Sequence, residues 1–152
     1  VNLIYQFTHD NKSDSMAFLF SIILRNKSSV IAHDVWFNIK IGIPNVSIIQ
    51  TNTSNLFTGQ TFADSMSLVS IKDFRLPPQG YISPVKISIP KNRLIDAQEY
   101  HFYFSYGCEG SKIYEFNSIF RGQDLNNILN GDIKDLLRFL QNHSPGHIVE
   151  RN

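Results

Sequence analysis

Apolar and polar residues alternate most regularly over residues 33–43, where Val35, Phe37, Ile39, Ile41 and Ile43 share one parity and Trp36, Asn38, Lys40 and Gly42 the other. Side chains of a strand point to opposite faces with a period of two, so this segment predicts a β-strand with one face in a core. Shorter runs rich in Ile, Val, Phe and Tyr, separated by clusters of Asn, Ser, Asp, Gly and Pro, continue from Val1 to about Phe120. They predict strands at residues 2–8, 15–25, 33–43, 46–50, 67–72, 83–89, 100–108 and 112–120, enough for a two-layered sandwich. Two glycines in Tyr106-Gly107-Cys108-Glu109-Gly110-Ser111 join the last two as an antiparallel hairpin. Residues 51–66 are polar around Leu56, Phe57 and Phe62 and read as an extended loop with room for a short strand. Leu76-Pro77-Pro78-Gln79-Gly80 is a turn, because Pro sets φ and Gly tolerates positive φ.

At Gly122 the period changes. Leu125, Ile128, Leu129, Ile133, Leu136, Leu137 and Leu140 recur every three or four residues, while Asn126, Asn127, Lys134, Asp135, Arg138 and Gln141 fall between them. That is the apolar stripe of an amphipathic helix, and Gly131-Asp132 is placed to divide it, Gly closing one helix and Asp capping the next. Ser144-Pro145-Gly146 stops the helix, and residues 147–152 read as a tail. The chain therefore divides into a sandwich over residues 1–121 and a helical extension with its tail over residues 122–152.

With 152 residues, 42% of them hydrophobic and 18% charged, the chain suits one domain with a real core. A formal net charge of +1, with Arg25, Lys27, Lys86, Lys91 and Arg93 scattered, supplies no electrostatic footprint for nucleic acid. The longest greasy stretch, residues 16–24, contains Ser21 and ends at Arg25, short of the roughly 20 apolar residues that cross a bilayer, so no membrane partner is expected. Cys108 stands alone, which excludes an intrachain disulfide and favours a reducing, cytoplasmic setting. Starting at Val1 with no signal-like segment, the chain reads as a domain cut from a longer polypeptide or a processed form.

The run Phe18-Leu19-Phe20-Ser21-Ile22-Ile23-Leu24-Arg25-Asn26, followed by Ala32-His33-Asp34-Val35-Trp36-Phe37-Asn38-Ile39, resembles the second and third strands of immunoglobulin-like domains of prokaryotic multidomain proteins. In those domains an Asn closes the first of these strands and an Ala-x-Asp/Asn-Val segment opens the next. Leu76-Pro77-Pro78-Gln79-Gly80, with Val85, Ile87 and Ile89 alternating after it, is similar to their proline-glycine turn before the fifth strand. The resemblance covers most of residues 1–120. It implies a mainly β fold: an immunoglobulin-like antiparallel β-sandwich, here with a C-terminal amphipathic helix. It also implies an accessory role in a larger protein, of the type that follows Schlafen-like ATP-binding domains.

Catalytic chemistry finds little purchase. His9, His33, His101, His143 and His147 form no His-x-His or His-Glu-x-x-His pattern, and Asp10-Asn11-Lys12-Ser13-Asp14 lacks the glycine of a calcium loop. There is no Gly-x-Ser-x-Gly elbow and no phosphate-cradling glycine motif, and Glu109 beside Cys108 opposes thiolate formation. No cofactor and no enzyme activity are expected. Asn-x-Ser/Thr sequons at Asn11, Asn26, Asn45, Asn52 and Asn142 keep a secreted alternative open.

The informative constellation is aromatic. If the strand over 33–43 lies beside the hairpin, Trp36 and Tyr103 share the outer face of one sheet, with His101 and Glu115 nearby. Large apolar patches rarely lie bare on monomers, so this face is either covered or used. The leucine stripe is the expected cover; the alternative is that the stripe or the aromatic face docks another domain, a protein partner or a second copy of the chain. The functional expectation is a non-catalytic interaction domain for a protein or peptide. A carbohydrate-binding or adhesive sandwich is the alternative, and a nucleic-acid-associated domain the next.

Overall fold

Strands form where the alternation predicts them, and they pair into two layers. The computed structural model describes residues 3–9, 16–49, 56–70, 73–142 and 147–150. Its elements in chain order are β1 (Leu3–His9), β2 (Ala17–Asn26), β3 (Ala32–Ile41), β4 (Ser47–Ile49), β5 (Phe57–Thr61), β6 (Met66–Ser70), β7 (Phe74–Leu76), β8 (Tyr81–Pro90), β9 (Glu99–Gly107), β10 (Tyr114–Arg121), α1 (Gly122–Leu129), α2 (Ile133–Asn142) and β11 (His147–Glu150). One sheet has five strands in the order β11-β1-β2-β8-β4, the other six in the order β10-β9-β3-β6-β5, with β7 paired to β3. Neighbours run antiparallel except β11, which lies parallel to β1.

In β3 the predicted parity holds: Val35, Phe37, Ile39 and Ile41 are buried, Trp36 and Asn38 are half-buried, and Lys40 is exposed. The strand ends at Ile41 rather than residue 43, and just beyond it the Gly42 N–H donates to the His101 carbonyl of β9 at 2.7 Å. A Cβ at position 42 would stand 2.8 Å from that oxygen, so the approach requires glycine. The hairpin joins Tyr106 to Tyr114 in register, and its turn places Gly110 at φ 74°.

Aromatic rings from both sheets interlock between the layers. Phe104 of β9 lies 5.7 Å from Tyr5 and 5.9 Å from Phe7 of β1, and Phe20 and Phe37 are buried beside them. Burial holds the Tyr106 phenol above its ordinary range, with the nearby Tyr114 phenol adding to the effect. Asn26, the strand-closing residue, is fully buried and acts as a polar strut. Its Nδ2 donates to the carbonyls of Val30 (2.7 Å), Leu76 (3.1 Å) and Pro77 (3.2 Å), and its Oδ1 accepts from the Ser28 N–H and hydroxyl.

Two expectations are corrected. Residues 147–150, expected as part of a tail, pair with β1 as β11 and complete the five-stranded sheet. The leucine stripe does not cover the Trp36 face. It forms two helices, divided at residues 130–132, of which α1 lies against β10 and α2 against β11. These strands are the edges of the two sheets, so the helices close the side of the sandwich. Leu125, Leu129, Leu136, Leu137 and Leu140 are buried in the same core as the sheets, with Ile128 and Ile133 packed against it. Phe139 of α2 meets the inward-facing Phe120 at 4.9 Å. The apolar stripe of the helices thus packs into the core of the same chain. β5 falls within the expected loop, and β7 was not anticipated. Residues 51–55, the Asp10–Asp14 segment and the Ser144-Pro145-Gly146 stop lie outside the described residues.

Candidate functional site

Because partners in an antiparallel ladder point to the same side, register alone builds the outer face of the six-stranded sheet. Along β9 the outward positions are Glu99, His101, Tyr103, Ser105 and Gly107. The first rung joins Trp36 of β3 to Gly107. The second joins Asn38, Ser105 and Glu115, and the third joins Lys40, Tyr103 and Asn117. Beyond these, Ile119 pairs with His101 and Arg121 with Glu99. On the other flank, Val69 and Ser67 of β6 face Asn38 and Lys40, and Thr58 and Gln60 of β5 follow them.

Trp36 lies on the sheet rather than standing off it. A Cβ at position 107 would meet Nε1, Cζ2 and Cε2 of its ring at 3.1–3.2 Å, so the indole covers the backbone of Gly107. Glycine at this place is what lets a large ring lie down on a strand. The ring therefore sits over β9, in line with Tyr103 four residues away, a separation of about 13 Å at the rise of a strand. Between them Ser105 is buried and forms a small-residue floor, flanked by Asn38 and the exposed Glu115. The imidazole of His101 extends the line past Tyr103, and its Nε2 is hydrogen-bonded to Asn117 Oδ1.

All four residues singled out from the sequence, Trp36, Tyr103, His101 and Glu115, share this face, and among the described residues the two helices pack at the sheet edges instead. His101 and Glu115 are exposed, Trp36 and Tyr103 half-buried. Ile119 and Val69 add exposed apolar surface, 58% and 38% accessible. The face carries Lys40 and Arg121 against Glu99 and Glu115, so its formal charges cancel. Gly107 is the residue that sequence reasoning missed, because a glycine before a hairpin reads as part of the turn. Asn117 was missed as well, although its parity matches that of Glu115.

The remaining candidates are dispersed. Cys108 is a buried free thiol whose N–H donates to Ser111 Oγ at 3.2 Å. His33 is exposed on β3, while the side chains of His9, His143 and His147 lie outside the described residues. Among the sequons, Asn45 is exposed, but the Asn26 amide is fully engaged and cannot carry a glycan in the folded chain. Asn11, Asn52 and the side chain of Asn142 lie outside the described residues.

No family model and no curated protein matches the chain. Among solved structures it is similar to the carbohydrate-binding module CBM3b from the cellulosomal cellobiohydrolase 9A of Clostridium thermocellum, at 11% identity and a TM-score of 0.42 over 75% of this chain and 95% of that one. A point mutant of the same module gives 10% identity and a TM-score of 0.40 over 80% and 93%. A likeness this distant assigns no ligand.

Proposed function

We propose that the chain is a non-catalytic carbohydrate-binding module, carried as an accessory domain of a larger protein, whose ligand lies along β9 on the outer face of the six-stranded sheet. The observation that carries this is the indole of Trp36 laid over Gly107, in line with Tyr103 on the outer face of the sheet. A sugar ring has a face of C–H groups and a rim of hydroxyls. Aromatic faces accept the first, and groups that both donate and accept hydrogen bonds serve the second. Asn38, which both donates and accepts, and the acceptor Glu115 flank the Ser105 floor between the two aromatic positions, and Asn117 lies beside Tyr103. Offsetting charges on the face favour a neutral glycan over a strongly charged one. This reading goes with the secreted alternative rather than the cytoplasmic one. Affinity electrophoresis against a panel of soluble neutral polysaccharides tests it. The parent chain is retarded by at least one of them, and Trp36→Ala migrates as in a glycan-free gel while keeping its fold. A variant retarded as strongly as the parent would remove Trp36 from the site.

A protein or peptide partner is the second reading, favoured by β5. This edge strand carries no charge and no proline, and Thr58 to Thr61 are exposed, whereas natural edges are usually guarded against pairing with another strand. Such a partner would add to the sheet beside β5, and binding would survive Trp36→Ala and fail on Thr58→Pro.

A further inference from the structure

The segment between β8 and β9, residues 91–98, is tied to α1 and β9 by a set of hydrogen bonds. Asn126 of α1 accepts from the Leu94 N–H and donates to the Leu94 carbonyl, both at 2.7 Å, and also donates to Asp96 Oδ1 at 2.7 Å. The Tyr100 hydroxyl accepts from the Ile95 N–H at 3.0 Å, and the Gly122 N–H donates to the Gln98 carbonyl at 2.8 Å. Gly122 is packed so closely that a Cβ there would lie 1.9 Å from the Ile95 carbonyl oxygen. A rigid scaffold holding an exposed loop is the usual arrangement for a binding segment.

Between this loop and the turn after β3 is a cleft of about 350 Å³, at the lower end of the range for small-ligand sites. Pro44, Pro90 and Tyr100 supply apolar walls, and Asn45, Asn92 and Gln98 supply three amides. A second cleft of about 140 Å³ shares Asn92 and Arg93 and adds Lys91. The charged residues lining both are cations. Asp96 stands beside them with one oxygen on Asn126 and the other 3.2 Å from Nη2 of the exposed Arg93, a single contact that leaves the other guanidinium N–H groups to a ligand.

We infer that this cleft is a second ligand site, for an acidic sugar residue of the hexuronate class: ring against the prolines and Tyr100, hydroxyls to the amides, carboxylate to Arg93. It is independent of the glycan face on the six-stranded sheet. The test is an NMR titration of the whole chain with glucuronate and galacturonate, with glucose and acetate as comparisons. At least one uronate shifts the amides of residues 44–45 and 91–98 with millimolar affinity, weakening as salt rises. Arg93→Gln reduces that affinity about tenfold, the scale of one lost charge-assisted hydrogen bond, and Trp36→Ala leaves it unchanged. No shift with either uronate, an equal response to glucose or acetate, or an affinity indifferent to Arg93→Gln would overturn the inference.

Discussion

Gly107→Val separates the role of a bare strand position from that of the indole lying on it. The backbone of Gly107 is not in the left-handed region, so valine meets no backbone strain there and gains some strand preference, up to ~1 kcal/mol. The cost comes from the ring. A Cβ at 3.1–3.2 Å from three indole atoms is already closer than ordinary contact, and the γ-carbons of valine reach about 1.5 Å further. The indole must swing off the sheet. If half of the roughly 200 Å² that a tryptophan can bury is lost, the cost is about 2.5 kcal/mol at ~25 cal/mol per Å². Net of the strand preference, the urea midpoint falls by the equivalent of ~1–2 kcal/mol. Trp36 is the single tryptophan of the chain, so intrinsic fluorescence reports on this ring alone, and its emission should move to the red. Glycan affinity should fall at least tenfold, about 1.4 kcal/mol, although residue 107 itself offers the ligand no side chain. Unchanged emission together with unchanged affinity would refute the placement of Trp36 over Gly107.

The other predictions concern what holds the face in place. Asn26→Ala leaves three carbonyls and the Ser28 donors without their partner in a buried site, and urea unfolding should show a loss of ~2–4 kcal/mol. Leu137→Ala opens the fully buried centre of the helix packing and should cost ~2–5 kcal/mol by the same assay, while the Trp36 emission of the folded chain stays put. Tyr106 ionises less readily folded than unfolded, so its contribution is complete below its ordinary value of 10.0 and is lost as pH rises beyond that. Alkaline unfolding followed by circular dichroism should accordingly shift to higher pH in Tyr106→Phe.

The face was legible because it depends on parity. Trp36 with Asn38 and Lys40, and Tyr103 with His101, each share a strand face whatever the neighbouring strands do, and the hairpin glycines brought Glu115 beside them. The position of the helices was not legible. Periodicity identifies the buried stripe from Leu125 to Leu140 but not what that stripe meets, and here it closes the side between two sheet edges. β11 escaped notice because a four-residue strand pairing parallel with a segment some 140 residues earlier carries no local signal. Asn26 read correctly as a strand terminator, yet its strongest structural role is to bind carbonyls 50 and 51 residues away. Gly107 was hidden by its neighbour turn: only the register with Trp36 distinguishes a ring seat from a turn glycine.

The central claim is that a neutral glycan lies along β9 across Trp36, Ser105 and Tyr103. Amide chemical-shift mapping of the whole chain, titrated with soluble oligosaccharides from any polysaccharide that retards it, tests this most directly. The account predicts saturable shifts concentrated at residues 36–40, 101–107 and 115–119, together with a shift of the Trp36 indole N–H. Shifts confined to β5 and β6, or a glycan that binds without moving the Trp36 indole signal, would contradict it.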